Sequence, residues 1–235
     1  MCKFERNEES FQDIQTRYSA TPKGLSIING RRSFNRPLYG NNSAFMLFAG
    51  DLPQVMMSLP GRGGTLSLGV ISPRASKWLQ EFDNIISTYE PGIMHYIMCD
   101  SELPEIQIEL DVVTSVESDA MVVRITIGNL TYPLDLVWTF GGAAPIHGAP
   151  ATGNPDPNGY VDELDMLFHP GHCSGNSVEL SSNSFSLRAQ TTGDRPIYGG
   201  CNYQGEFSIH NPKTFTLGPK FFMSSTVLWR GIVLS

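Results

Sequence analysis

The amino-acid sequence predicts an all-β fold, a two-layer antiparallel β-sandwich with one long Gly/Pro-rich loop. Three observations carry that expectation. Short runs of four to eight residues alternate apolar with polar or small side chains, and each run is bounded by Gly, Pro, Asn or Asp. The 23 glycines and 16 prolines supply many turns and leave little room for long helices. No strand–helix–strand alternation is visible, so about a dozen strands should stack as two antiparallel sheets.

The elements follow in order. Residues 1–17 form a charged, polar arm; Phe11, Ile14 and Tyr18 fall at helical spacing, and a short amphipathic helix, an ordered arm and a frayed tail all fit it. The sandwich should occupy 18–235. Residues 25–28 are the first strand, and Asn29-Gly30 signals a hairpin after it. Runs at 44–49, 54–59 and 65–70 form a meander of half-buried strands, joined by Gly50-Asp51-Leu52-Pro53 and by the loop Gly61-Arg62-Gly63-Gly64. Pro53 and Pro60 belong at strand ends because they cannot donate to a ladder. Residues 75–82, with Trp78, Leu79 and Phe82, fit a strand entering a hairpin or one helical turn.

Strands are expected at 85–89 and 93–98 around Pro91-Gly92. The cleanest is 105–112, where Ile106, Ile108, Leu110 and Val112 alternate with Glu105, Gln107, Glu109 and Asp111, so one face must be buried. A turn at 115–119 leads into strands at 121–127 and 134–140. Periodicity then stops from 141 to 173; loops of that length inside a compact domain are functional or disordered. Strands resume at 178–180, 185–189, 205–210 and 221–234.

Composition excludes several classes. At 235 residues and a net charge of −7, with no Lys/Arg-rich block, the chain lacks a nucleic-acid footprint. No apolar run reaches membrane-spanning length, and no secretory signal is visible at the start. Cys2, Cys99, Cys173 and Cys201 show no C-x-x-C spacing; a Cys173–Cys201 bridge fits an oxidising compartment, but free thiols are the commoner state. Gly-x-Ser-x-Gly occurs nowhere, and Gly61-x-Gly63-Gly64 lies between strands rather than before a helix, so neither a nucleophile elbow nor a phosphate cradle is expected. No cofactor is implied.

Asn35-Arg36-Pro37-Leu38-Tyr39-Gly40, Ala49-Gly50-Asp51-Leu52-Pro53, Pro60-Gly61-x-Gly63-Gly64 and Tyr89-Glu90-Pro91-Gly92-Ile93-Met94-His95-Tyr96 together resemble the amino-terminal β-sandwich domain of bacterial six-hairpin glycosidase-like proteins. The likeness runs from about Tyr18 to the end and is strongest before Asp100. It implies a supersandwich-like domain followed by a helical (α/α) barrel that carries any catalysis, and a periplasmic or extracellular location. It also implies the barrel as partner, and an oligo- or polysaccharide as ligand.

Candidate residues fall in two groups. Tyr39 lies in a turn, flanked by Asn35, Arg36 and Asn41, which could bind hydroxyls or simply fix the turn through local hydrogen bonds; the second role is the more usual for turn asparagines. In the long loop, His147, Tyr160, Asp162, Glu163 and Asp165 could face a carbohydrate or a partner, since no Lys or Arg occurs between Arg124 and Arg188. His169, His172 and Cys173 are of metal-ligand type, but the intervening Pro-Gly forbids a helical zinc motif. The reading that results is a non-catalytic sandwich that packs against a helical barrel and lends a loop to carbohydrate handling. Its rivals are a free-standing carbohydrate-binding module and a metal-dependent hydrolase centred on His169 and His172.

Overall fold

The computed structural model describes residues 18–40, 43–59, 62–142, 173, 175–189, 195–209 and 227–233. Their strands are β1 (Ser19–Ala20), β2 (Leu25–Ile28), β3 (Arg36–Leu38), β4 (Met46–Ala49), β5 (Gln54–Leu59), β6 (Arg62–Ile71), β7 (Ser76–Trp78), β8 (Asn84–Glu90), β9 (Ile93–Asp100), β10 (Leu103–Thr114), β11 (Met121–Gly128), β12 (Leu134–Gly141), β13 (Ser177–Leu180), β14 (Ser184–Arg188), β15 (Ile197–Gly200), β16 (Glu206–Ile209) and β17 (Val227–Val233). A 3-10 turn, Leu79–Glu81, follows β7, so both readings of 75–82 hold in succession. The all-β class is as the alternation predicts.

Every strand pair is antiparallel, and the strands form three sheets. Sheet A has the order β1-β2-β8-β9-β10-β11. Sheet B runs β16-β17-β12-β6-β5-β4-β3, with β7 also on β6, and sheet C runs β13-β14-β15. Sheets A and B share one core in which Ile108, Leu110 and Val112 of β10 and Leu47 and Val55 of sheet B are fully buried. Sheet C joins that core through Phe185, which lies 6.1 Å from Trp138 and 5.8 Å from Phe140. Burying rings of this size is the largest single hydrophobic contribution such a small sheet can receive.

Three expectations are corrected. Asn29-Gly30 makes no hairpin: β2 pairs with β1 and β8, and the chain crosses to sheet B after Ile28. Asn29 instead sits at φ 52 and continues the ladder with its side chain, its Oδ1 accepting from Ile85 N at 2.9 Å. The Gly61–Gly64 loop is also shorter than expected, because Arg62, Gly63 and Gly64 already belong to β6. Gly64 is required there: a Cβ would lie 2.2 Å from the Phe140 ring. Finally, the 65–70 strand is not half-buried. Thr65, Ser67 and Gly69 are as buried as Leu66, Leu68 and Val70.

Candidate functional site

Asp51 organises the segment that carries the first group of candidates. Its carboxylate is buried and accepts from the Tyr18 hydroxyl at 2.7 Å and from Arg32 N at 3.2 Å. Gly30 packs against it so closely that a Cβ would sit 2.6 Å from the Asp51 side chain. Burial, and then the bond to Asp51, push the Tyr18 phenol above its ordinary value. Beside it, the Tyr96 hydroxyl donates to Gly50 O at 2.8 Å, tying this turn to sheet A.

Asn35 and Arg36 belong to the same framework. Asn35 Nδ2 donates to the Tyr18 hydroxyl at 3.1 Å, and the Arg36 guanidinium lies 4.6 Å from the Tyr18 ring centroid while donating to Asn35 O at 3.0 Å. Arg36 bonds its sequence neighbour, whereas Asn35 reaches Tyr18, 17 residues away, so both belong to the framework around Asp51. Tyr39 is different. Its ring is 72% exposed, and its backbone rests against the β8–β9 turn at Gly92. The segment then passes Thr114 and Ser115 at Gly40, and Ser43 hydrogen-bonds Asp119, so Tyr39 stands at the tip of sheet A. Asn41, His147, Tyr160, Asp162, Glu163, Asp165, His169 and His172 lie outside the described residues. Cys173 is a buried free thiol and Cys201 a half-buried one, whereas Cys99 is disulfide-bonded. Among the described residues no His/Cys/Asp/Glu group could hold a metal ion.

The outer face of sheet A gathers residues that sequence reasoning did not single out. Register places them in three cross-strand rows. The middle row is polar: Ser26, Thr88, His95, Asp111 and Arg124 stand side by side on five strands. His95 Nδ1 meets Asp111 Oδ1 at 2.5 Å, and Arg124 donates to Oδ2 through Nε at 2.8 Å and Nη2 at 2.6 Å. Burial pulls the Asp111 carboxyl upward, but the bonds from His95 and Arg124 outweigh it and hold the carboxyl below its ordinary value. An ionised carboxylate only accepts, so the hydrogen of the His95–Asp111 bond is carried by Nδ1. One flanking row runs Ile28, Ile86, Ile97, Glu109, Thr126; the other runs Glu90, Ile93, Val113, Val122. Ile28 is 50% exposed, Ile93 38% and Val122 53%. A wet sheet face is normally polar, so exposed aliphatic rows on both sides of a fixed ionic row are the unusual feature.

At the opposite end of sheet A a cleft of about 850 Å³ opens around Asn84, Asp100, Ser101, Glu105, Gln107 and Asn129. A bulge between Leu103 and Ile108 shapes it, with Glu105 at φ 77. Asp100 is occupied: Lys77 Nζ donates to it at 2.9 Å, and Asp83 N and Glu102 N also donate. Burial works to lower the Lys77 ammonium, yet the bonds to Glu102 and Asp100 raise it above its ordinary value, so the ammonium stays charged in a structural contact.

A model of a domain of unknown function, DUF4450, matches residues 59–211. The chain belongs to the DUF4450 family. No curated protein matches it. The DUF4450 match runs from the last residue of β5 through β16, so β1 to β4 and β17, which complete the two large sheets, lie outside it. No helix among the described residues is long and apolar enough to cross a membrane.

Proposed function

We propose that this sandwich is a non-catalytic module that docks, through the outer face of sheet A, on a helical domain of a glycoside-hydrolase-like protein. The observation that carries the reading is the pair of aliphatic rows on that face, with Ile28 and Ile93 at 50% and 38% exposure. Helices packed on one face of an antiparallel sheet are one of the stable layer architectures. The Asp111 ion pair between the rows gives the face a fixed polar register, which favours specificity over indiscriminate sticking. Chemistry on an oligo- or polysaccharide would belong to the helical partner.

The experiment places lysine at Ile28 and Ile93, in the chain alone and in its full reading frame. In the chain alone each change should cost no more than about 0.5 kcal/mol, as surface changes do. In a longer protein, the same changes should split one cooperative melt into two and open the junction to protease. Equal behaviour in both settings, or a reading frame with no helical domain, ends the docking reading.

A second reading rests on Tyr39, a ring 72% exposed at the tip of sheet A, where a sugar could stack. Binding of the chain to a glycan panel, lost in Tyr39→Ala with the melting temperature unchanged, would establish a carbohydrate-binding module in place of docking.

A further inference from the structure

The described sheets end in very unequal edges. β1 has two residues, β3 three including Pro37, β7 three, and β13, β15 and β16 four each. Short strands and edge prolines are the devices by which natural sheets avoid pairing with one another. β11 has none of them. It is eight residues long, contains no proline, pairs with β10 over its whole length without a bulge, and has no partner on its other side among the described strands.

Its side chains also stop short of full cover. Ile108, Leu110 and Val112, one strand inward, are completely buried, whereas Val123, Ile125 and Ile127 on the same face of β11 are only partly buried. A further strand with the same alternation would complete that layer. β11 has such an alternation itself.

We propose that β11 pairs antiparallel with β11 of a second copy of this chain, joining two six-stranded sheets about a two-fold axis normal to them. This is an isologous contact, in which one edge serves both partners. Charge selects the register. Placing Arg124 opposite its own copy would set like charges face to face, which is destabilising. A shift that puts Ile125 on the axis places Arg124 opposite Thr126 of the other copy, with Glu109 directly behind Thr126 in the ladder. Val123 then faces Ile127, and both apolar faces remain inward, since a one-residue slip would turn them out. The pairing is independent of whatever covers the outer face, because it uses backbone groups at the edge.

The test is a sedimentation-equilibrium measurement of the full chain, with substitutions at Thr126, which is exposed in the single chain. Thr126→Glu sets a carboxylate opposite Arg124 of the other copy, and Thr126→Lys sets an ammonium there. Two such cross-strand contacts per dimer should tighten and weaken dimerisation respectively, by about two- to thirtyfold in Kd. The melts of dilute, monomeric protein should move slightly the other way, down for Thr126→Glu and up for Thr126→Lys, because Glu109 stands opposite residue 126 within the chain. A chain that remains monomeric into the millimolar range overturns the proposal, as does a dimer indifferent to both changes. Edge amides of β11 that exchange freely in the chain, but are protected in a longer reading frame, would assign the edge to another strand and overturn it equally.

Discussion

The outer faces of sheets A and B start from similar alternating patterns and end in opposite environments. On sheet A, Thr126 and Arg124 are exposed, and the apolar Ile28, Ile93 and Val122 stand partly in solvent. On sheet B, Ser58, Thr65, Ser67 and Thr139 of the corresponding face are buried, together with Met56 and Val137. The difference lies in side-chain length and charge. Sheet A's outward residues on β10 are Gln107, Glu109 and Asp111, which water must reach. Those on β6 are Gly63, Thr65, Ser67 and Gly69, small enough to lie under another layer at little desolvation cost. The outer face of sheet B is therefore closed to water, whereas that of sheet A is partly open to it.

The comparison can be broken most sharply at the shared core. Ile108→Ala, at a fully buried site, should cost about 2–5 kcal/mol in urea unfolding, whereas Ile28→Ala on the open face should stay within about 0.5 kcal/mol. Equal losses would show that sheet A is covered on both faces. Next comes overpacking. Ser67→Leu should destabilise by about 1–3 kcal/mol, because the outer face of sheet B has no room; Thr126→Leu should shift the melt of dilute protein far less.

A smaller effect tests the ionic row. Asp111 has a folded pKa below its ordinary 3.8, so its contribution is present above that value and is lost as pH falls through the lower, folded value. Arg124 is largely exposed, which keeps the difference between wild type and Asp111→Asn at neutral pH near 1 kcal/mol or less. That difference should vanish in acid, and a gap that persists below the folded value would locate the stabilisation elsewhere. The smallest effect is at Ser58, buried with no partner for its Oγ. Ser58→Ala should be neutral or slightly stabilising in thermal melts, since an unmet hydroxyl is removed.

The same contrast marks how far the sequence could be read. The run 105–112 was legible because long polar residues alternate with aliphatics, and Ile106, Ile108, Leu110 and Val112 are buried as it predicts. The run 65–70 misled because Thr, Ser and Gly fit equally on a wet face and beneath a layer. Two strands of sheet C, β13 and β14, fall where the sequence places them at 178–180 and 185–189, whereas the crossover after Ile28 was hidden because the β8 partner of β2 is distant in sequence. Of the candidate site, Arg36 bonds its neighbour Asn35, but Asn35 reaches Tyr18 across 17 residues, a contact no local turn signal carries. Asp51 bonding Tyr18, 33 residues away, carries no local signal. His95, Asp111 and Arg124 could be joined only by knowing the register of three strands. Their separate positions show ordinary alternation.

The strand order also fixes a timetable. β8 to β11 are joined by tight turns and can zip up as they leave the ribosome, but β2 must close on β8 across a separation of 62 residues, as between Thr88 and Ser26. β17 lies between β12 and β16, and its Arg230 meets Asp135 across 95 residues. Such long closures place folding in the slow, millisecond-to-second range of all-β chains. Until residues 227–233 are synthesised, β12 presents seven residues of open ladder. The growing chain therefore has a sticky side that β17 seals, and an arrest of translation short of β17 should send it to chaperones or aggregates.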